Sequence, residues 1–182
     1  MLDRYYQASR AYRPDYVVRL NGDCPLADPE VIDRVVRHCV DGDYDYVSSG
    51  VEPSFPDGLD AEAFWTSCLE RAWREATLLS EREHVTTFFY RGGRDFRVGH
   101  VRSEVDLSRL RWTVDEPRDF EFVTRVYEEL YPRDPAFGTQ AILALLDRKP
   151  ELSALNSSIV RNEGFQKSLP EDAAWLGKGK KK

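Results

Sequence analysis

The chain has 182 residues, 41% hydrophobic and 32% charged, which suits one globular domain and excludes a disordered chain. The net charge is −6, and the last five residues hold four lysines (Lys178, Lys180, Lys181, Lys182) without which 22 basic residues face 32 acidic ones. So acidic a body argues against a general nucleic-acid binder, and no stretch reaches the roughly 20 apolar residues of a spanning helix, which argues against a membrane protein.

Residues 1–12 read as a helix with Met1, Tyr5, Ala8 and Tyr12 on one face. Tyr16-Val17-Val18-Arg19-Leu20 is a β-branched run between turn signals, the pattern of a buried strand. Asp28-Pro29 opens a helix to about Val40, as an N-cap followed by Pro at the first position. Asp45 to Ser48 is the next strand, residues 50–60 form a Pro-, Gly- and Asp-rich loop, and Ala63-Phe64-Trp65 is a short strand. Thr66 is expected to cap a helix over 67–76. Ser80-Glu81-Arg82-Glu83 has the spacing of a capping box, with its helix continuing to about Tyr90. Residues 96–101 and 111–115 read as strands, Pro117 opens a helix to about Tyr131, and Thr139 caps a final helix over 140–147. In the core, Val17, Val18, Leu20, Val47, Trp112 and Val114 are expected to be buried. Ile32, Val36, Phe120 and Val123 are expected to pack onto the sheet. Alternating strands and helices imply an α/β layered sandwich with a largely parallel sheet.

Such sheets bind ligands beyond the carboxyl ends of their strands. Two of the strands read here end in acids, Asp23 and Asp115. In Arg19-Leu20-Asn21-Gly22-Asp23-Cys24-Pro25, Gly22 permits close backbone approach and Pro25 fixes the turn, which aims Asp23 off the strand end. A carboxylate there suits Mg²⁺, although Asp and Gly are also ordinary turn residues. Thr113-Val114-Asp115-Glu116-Pro117 repeats the pattern, with helix capping as its plainer explanation. Parallel neighbouring strands would bring both acids to one edge. The loop Phe55-Pro56-Asp57-Gly58-Leu59-Asp60 is either a polar ligand loop or a surface turn. The Asp-x-Asp runs at 41–45, a glycosyltransferase-like pattern, follow a helix and so lie at the opposite edge from Asp23, as solvated turns. There is no Gly-x-x-x-x-Gly-Lys-Ser/Thr loop and no Gly-x-Gly-x-x-Gly. The first lysine in the chain is Lys149. The three widely spaced cysteines argue against a disulfide framework or zinc site and fit reduced thiols in the cytoplasm. The N-terminus has no apolar signal region.

Four segments in this order resemble the cytidylyltransferase family: Arg19 to Pro25, Phe55 to Asp60, Ser80-Glu81-Arg82-Glu83-His84-Val85-Thr86, and Arg111-Trp112-Thr113-Val114-Asp115-Glu116-Pro117. That family includes acylneuraminate and 3-deoxy-manno-octulosonate cytidylyltransferases, and the branch most resembled is spore-coat polysaccharide biosynthesis protein F. The resemblance implies a nucleotide-diphospho-sugar transferase-like fold. It implies transfer of CMP from CTP to a sugar acid in surface polysaccharide biosynthesis, with Mg²⁺ on Asp23 and Asp115. Arg19, Asn21, Gly22, Asp57, Asp60, Glu83 and His84 would then contact substrate. The family begins with a strand and a glycine-rich basic loop that grips CTP, and this chain has no matching segment. The resemblance therefore implies the C-terminal portion of such a domain over 1–169, N-terminally truncated, with a flexible basic tail over 170–182. A sheet lacking the preceding strands would expose an edge and invite homo-oligomerisation. A chain without the CTP grip is expected to be inactive alone, and a non-catalytic sugar- or partner-binding module is the alternative.

Overall fold

The computed structural model describes residues 1–161 together with Pro170 and Asp172. The tail expected over 170–182 otherwise lies outside the described residues. The elements are α1 (Leu2–Tyr12), β1 (Tyr16–Leu20), α2 (Pro29–Asp41), β2 (Tyr46–Ser48), β3 (Ala61–Trp65), α3 (Thr66–Glu75), α4 (Leu79–His84), α5 (Thr87–Tyr90), β4 (Val98–His100), α6 (Pro117–Leu130), α7 (Thr139–Arg148) and α8 (Glu151–Ala154). No described helix is long and apolar enough to cross a membrane.

The strands form one sheet in the order β1-β3-β2-β4. β3 pairs antiparallel with both neighbours, whereas β2 and β4 are parallel. The sheet is thus mixed and not largely parallel. β1, β2 and β4 share one direction, and β3 runs against them. The cause lies in the connection from β2 to β3. It is a loop with no crossover helix, so the chain returns beside the strand it has just left.

Side chains alternate across the strands and so divide the core in two. Val47, Ala61 and Ala63 join a cluster with Val31 and Val35 of α2, Phe122 and Val126 of α6, and Ile142 and Leu145 of α7. On the other face, Tyr46 and Phe64 pack with Leu2 of α1, Leu69 and Ala72 of α3, and Phe88 and Phe89 of α5. The result is helices on both sides of the sheet.

Several expectations change. Val18 and Leu20 are 41% and 45% exposed, because β1 is an edge strand and one of its faces lacks cover. Phe120 is 65% exposed. The buried residues of α6 are Asp119, Phe122, Val123, Val126 and Leu130, so that of the two expected to pack onto the sheet, Phe120 and Val123, only Val123 does. Residues 111–115 do not join the sheet, and their one ladder contact is a parallel bridge from Arg111 to Asp57. Thr66 does not cap α3. Its hydroxyl donates to the Pro14 carbonyl at 2.5 Å. The helix expected from Ser80 begins earlier, and Glu81 accepts the backbone N–H groups of Thr77 and Leu78. It then breaks at Val85. Thr139 lies inside α7, and its N–H and hydroxyl both donate to Asp28 Oδ2, at 2.8 and 2.5 Å. Asp28 Oδ1 meanwhile accepts from Glu30 N at the start of α2, so one carboxylate caps two helices.

Candidate active site

The segment 110–114 is the spine of the site. Trp112 N donates to the Asp57 carbonyl at 2.6 Å, and Asp57 N donates to that of Leu110 at 2.9 Å. Val114 N and the Thr113 hydroxyl both donate to the Asp23 carbonyl, at 2.8 and 3.1 Å. The loop after β1 and the acidic loop before β3 are therefore laced to the same stretch of backbone. Gly58 makes this close approach possible. Its φ is +113°, and a Cβ there would stand 2.6 Å from Thr113 N. Only glycine meets both demands.

These segments enclose a cavity of about 530 Å³. Of the residues expected in the site, Arg19, Asn21, Asp23, Asp57, Asp60, His84 and Asp115 line it. Gly22 and Glu83 do not. Gly22 supplies the turn, and Glu83 points outward from α4 and is exposed. The Asp-x-Asp runs are elsewhere, with Asp43 and Asp45 paired to Arg97. Sequence reasoning missed Glu62, Thr86, Thr87 and Tyr90, which line the cavity, and Arg161 at its rim. A signal for Glu62 existed: a lone acid in Ala61-Glu62-Ala63-Phe64-Trp65 matches the lone base in β1.

Charge in the site is arranged around Arg111. This buried guanidinium donates to Asp57 Oδ2 at 3.0 Å, Asp115 Oδ2 at 2.7 Å, and both oxygens of Asp119 at 2.9 and 2.8 Å. Asp119 is fully buried and also accepts from Asn156 and the backbone of Asp115 and Glu116. Burial works against its charge, but these donors prevail and hold it below the usual carboxylate range. Burial instead pushes Asp57 and Asp60 up, against the Arg161 guanidinium beside both. Burial also depresses His84, which favours its neutral form. Cys24 lines the cavity, but burial and the Asp23 charge push its thiol up to about 12, so it is no nucleophile. Among the described residues all three cysteines are free.

Asp23 and Asp115 differ from the more buried acids. Both are exposed at the cavity wall, and their segments are tied backbone to backbone. Asp57 and Asp60 are largely buried against arginines, whereas Asp115 keeps an exposed side chain while accepting from Arg111. Among the described residues no group of three His, Cys, Asp or Glu side chains is placed to hold a metal ion. Asp23 and Asp115 are exposed carboxylates at the cavity wall, as is Glu116, and a pair of such groups matches the one or two that Mg²⁺ takes alongside water and phosphate oxygens.

A layered α/β fold with a carboxylate-walled cavity beside its sheet is the frame of the site, and this chain belongs to the cytidylyltransferase family, whose sequence profile matches residues 1–145. It is 34% identical over 163 residues to an uncharacterized protein of Methanocaldococcus jannaschii, covering 87% of this chain and 64% of that protein. It is 27% identical over 156 residues to the spore coat polysaccharide biosynthesis protein SpsF of Bacillus subtilis, covering 83% and 62% respectively. A solved cytidylyltransferase structure from Leptospira borgpetersenii matches with a TM-score of 0.80 at 26% identity, over 88% of this chain and 67% of that one. The chain thus spans under two thirds of the length of the curated relatives it matches.

Proposed function

We propose that this chain forms the metal and acceptor side of a cytoplasmic cytidylyltransferase, which transfers CMP from CTP to a sugar acid hydroxyl and releases pyrophosphate, in surface polysaccharide biosynthesis. The observation that carries the reading is the meeting of Asp23 and Asp115 at one wall, through the bonds from Val114 and Thr113 to the Asp23 carbonyl. Those two carboxylates would hold Mg²⁺. When bound, the cation neutralises charge on the α-phosphate and the leaving pyrophosphate. Arg111 presents Asp115 to the cavity while its other donors bind Asp57 and Asp119. Asp57 and Asp60, fixed by Arg111 and Arg161, border the acceptor space. Neutral His84 is suited to a hydrogen bond with an acceptor hydroxyl. Catalysis of this kind rests on positioning and charge stabilisation, which rigid walls supply.

A second reading is a module that binds a sugar or a partner without turnover. The commitment of Arg111 to three carboxylates favours it, since that cation has no spare charge for a triphosphate. One assay separates the two: pyrophosphate release with CTP, Mg²⁺ and N-acetylneuraminate or 3-deoxy-manno-octulosonate, on this chain and on one extended upstream. The transferase reading expects sugar-dependent release by the extended chain, falling on the order of 100-fold in Asp23→Asn. Release that ignores the sugar, or that survives Asp23→Asn intact, overturns it.

A further inference from the structure

Glu62 lies on β3, at the centre of a polar junction that the sandwich core does not need. The β1–β3 register sets it directly opposite Arg19, and the β2–β3 register sets it opposite Ser48. One of its oxygens takes the Arg19 guanidinium. The other accepts the Tyr46 hydroxyl at 2.5 Å and the Thr86 hydroxyl at 2.7 Å. Donors from β1, β2 and the α4–α5 connection thus fix one carboxylate, and Arg19, Ser48, Glu62 and Thr86 all line the cavity.

Thr86 reaches this junction by an unusual backbone. Val85 is fully buried and β-branched, yet sits at φ 61°, ψ −61°, and Thr86 N donates to the His84 carbonyl at 2.6 Å. This is the rare form of γ-turn, and strain of this sort concentrates at ligand sites. It ends α4 and directs both His84 and Thr86 to the cavity wall.

Arg19 is held but not used up. A guanidinium carries five N–H donors. The Nε–H of Arg19 is buried and has no partner among the described residues. Buried donors are normally satisfied, so an unsatisfied one at a cavity wall marks a place for an acceptor. The other guanidinium lining the cavity, Arg111, is surrounded by three carboxylates. The walls also carry Asp23, Asp57, Asp60 and Asp115. An anionic ligand group entering here needs N–H donors that these carboxylates do not already occupy.

We propose that Glu62 is a positioning residue, which clamps Arg19 and Thr86 so that the spare N–H groups of Arg19 bind a carboxylate of the acceptor. This rests on the reading of the cavity as an acceptor site. Neutralised by Glu62, Arg19 selects by donor geometry and not by net charge, which favours a planar carboxylate over a diffuse polyanion.

The test is a binding titration of the 182-residue chain, followed by NMR, with N-acetylneuraminate and 3-deoxy-manno-octulosonate and the methyl ester of each. In the wild type each acid is expected to bind about tenfold more tightly than its ester, as loss of a charge-assisted pair implies. Arg19→Gln should bring that ratio close to one. Glu62→Gln, with its melting temperature recorded, should shrink the ratio in the wild-type background and have no further effect in Arg19→Gln, because it acts through that residue. Should Glu62→Gln fail to fold, Thr86→Val removes one arm of the clamp without changing charge and is expected to shrink the ratio in the same way. A ratio that survives Arg19→Gln, or a Glu62 effect equal on acid and ester, overturns the proposal. Equal binding of acids and esters by the wild type overturns this proposal alone. Absence of binding by all four compounds overturns the acceptor-site reading as well.

Discussion

Replacing Arg111 by Met tests whether the buried charge cluster holds the site together. Arg111 and Asp119 have side chains 7% and 0% exposed, and Asp57 is 11% exposed. Met keeps most of the aliphatic packing but strands two buried carboxylates. Breaking a buried pair by removing one partner costs about 3–5 kcal/mol. The third partner, Asp115, is 56% exposed and adds about 0–1 kcal/mol. Against a total stability of about 5–15 kcal/mol this is a large fraction. Together these correspond to a fall in melting temperature of about 6–24 °C for a chain of this size. Urea unfolding followed by tryptophan fluorescence reads it, since Trp112 is the next residue and fully buried. The pH dependence gives a second handle. In the wild type Asp119 is held below its unfolded value, so its contribution is present above about pH 3.9 and is lost as pH falls through the folded value. Without Arg111, burial raises Asp119, so the penalty grows as pH rises and the gap to wild type narrows on acidification. Adding Asp119→Asn to Arg111→Met should recover about 1–3 kcal/mol, because the stranded charge is gone. A single-variant loss below about 1 kcal/mol, or a double variant whose losses simply add, would refute the reasoning.

Other outcomes follow from geometry. Asp28→Ala removes the cap of α2 and the partner of Thr139, and should cost about 1–2 kcal/mol in urea unfolding. Burial works against the charge of Asp28, but Thr139 and the backbone N–H groups outweigh it and hold it low, so the pH-linked part of this contribution is full above about pH 3.9 and fades as pH falls toward the lowered folded value. Gly58→Ala forces a Cβ into the Trp112–Thr113 backbone at positive φ and should lose about 1–3 kcal/mol by the backbone conformation alone, together with Mg²⁺-dependent shifts of Asp23 in NMR spectra. Phe122→Ala should cost about 3–5 kcal/mol, whereas Phe120→Ser should stay within about 0.5 kcal/mol in the same unfolding measurement.

Most elements were legible because their signals are local. Asp28-Pro29 marked α2, and the β-branched run marked β1. The direction of β3 was not legible, since it depends on whether the residues between β2 and β3 hold a crossover helix, a property of the connection and not of the strand. Val18 and Leu20 have strand-core composition, but burial of an edge strand is decided by what lies beside it. The apolar residues of α6 fit two overlapping stripes, and the buried Asp119, polar in composition, selected the one that the hydrophobic pattern did not. Asp23, Asp57 and Asp115, which line the cavity, stand out in the sequence because turn residues surround them. Glu62 and Arg161 were missed because their roles come from partners distant in sequence: Arg19 for the first, Asp57 and Asp60 for the second. The paired arginines were also the reason Asp57 and Asp60 differ from Asp23, which no single segment discloses.

The carboxylate shared by α2 and α7 has a consequence for how the molecule opens. The Thr139 amide it binds is 111 residues away along the chain. Closing so long a loop is entropically costly and is repaid only when the intervening layers are in place. Hydrogen exchange at that amide should therefore report the opening of the whole sandwich, although it sits in the first turn of a helix, where exchange is ordinarily fast. Its protection would report whether the starts of α2 and α7 are still held together.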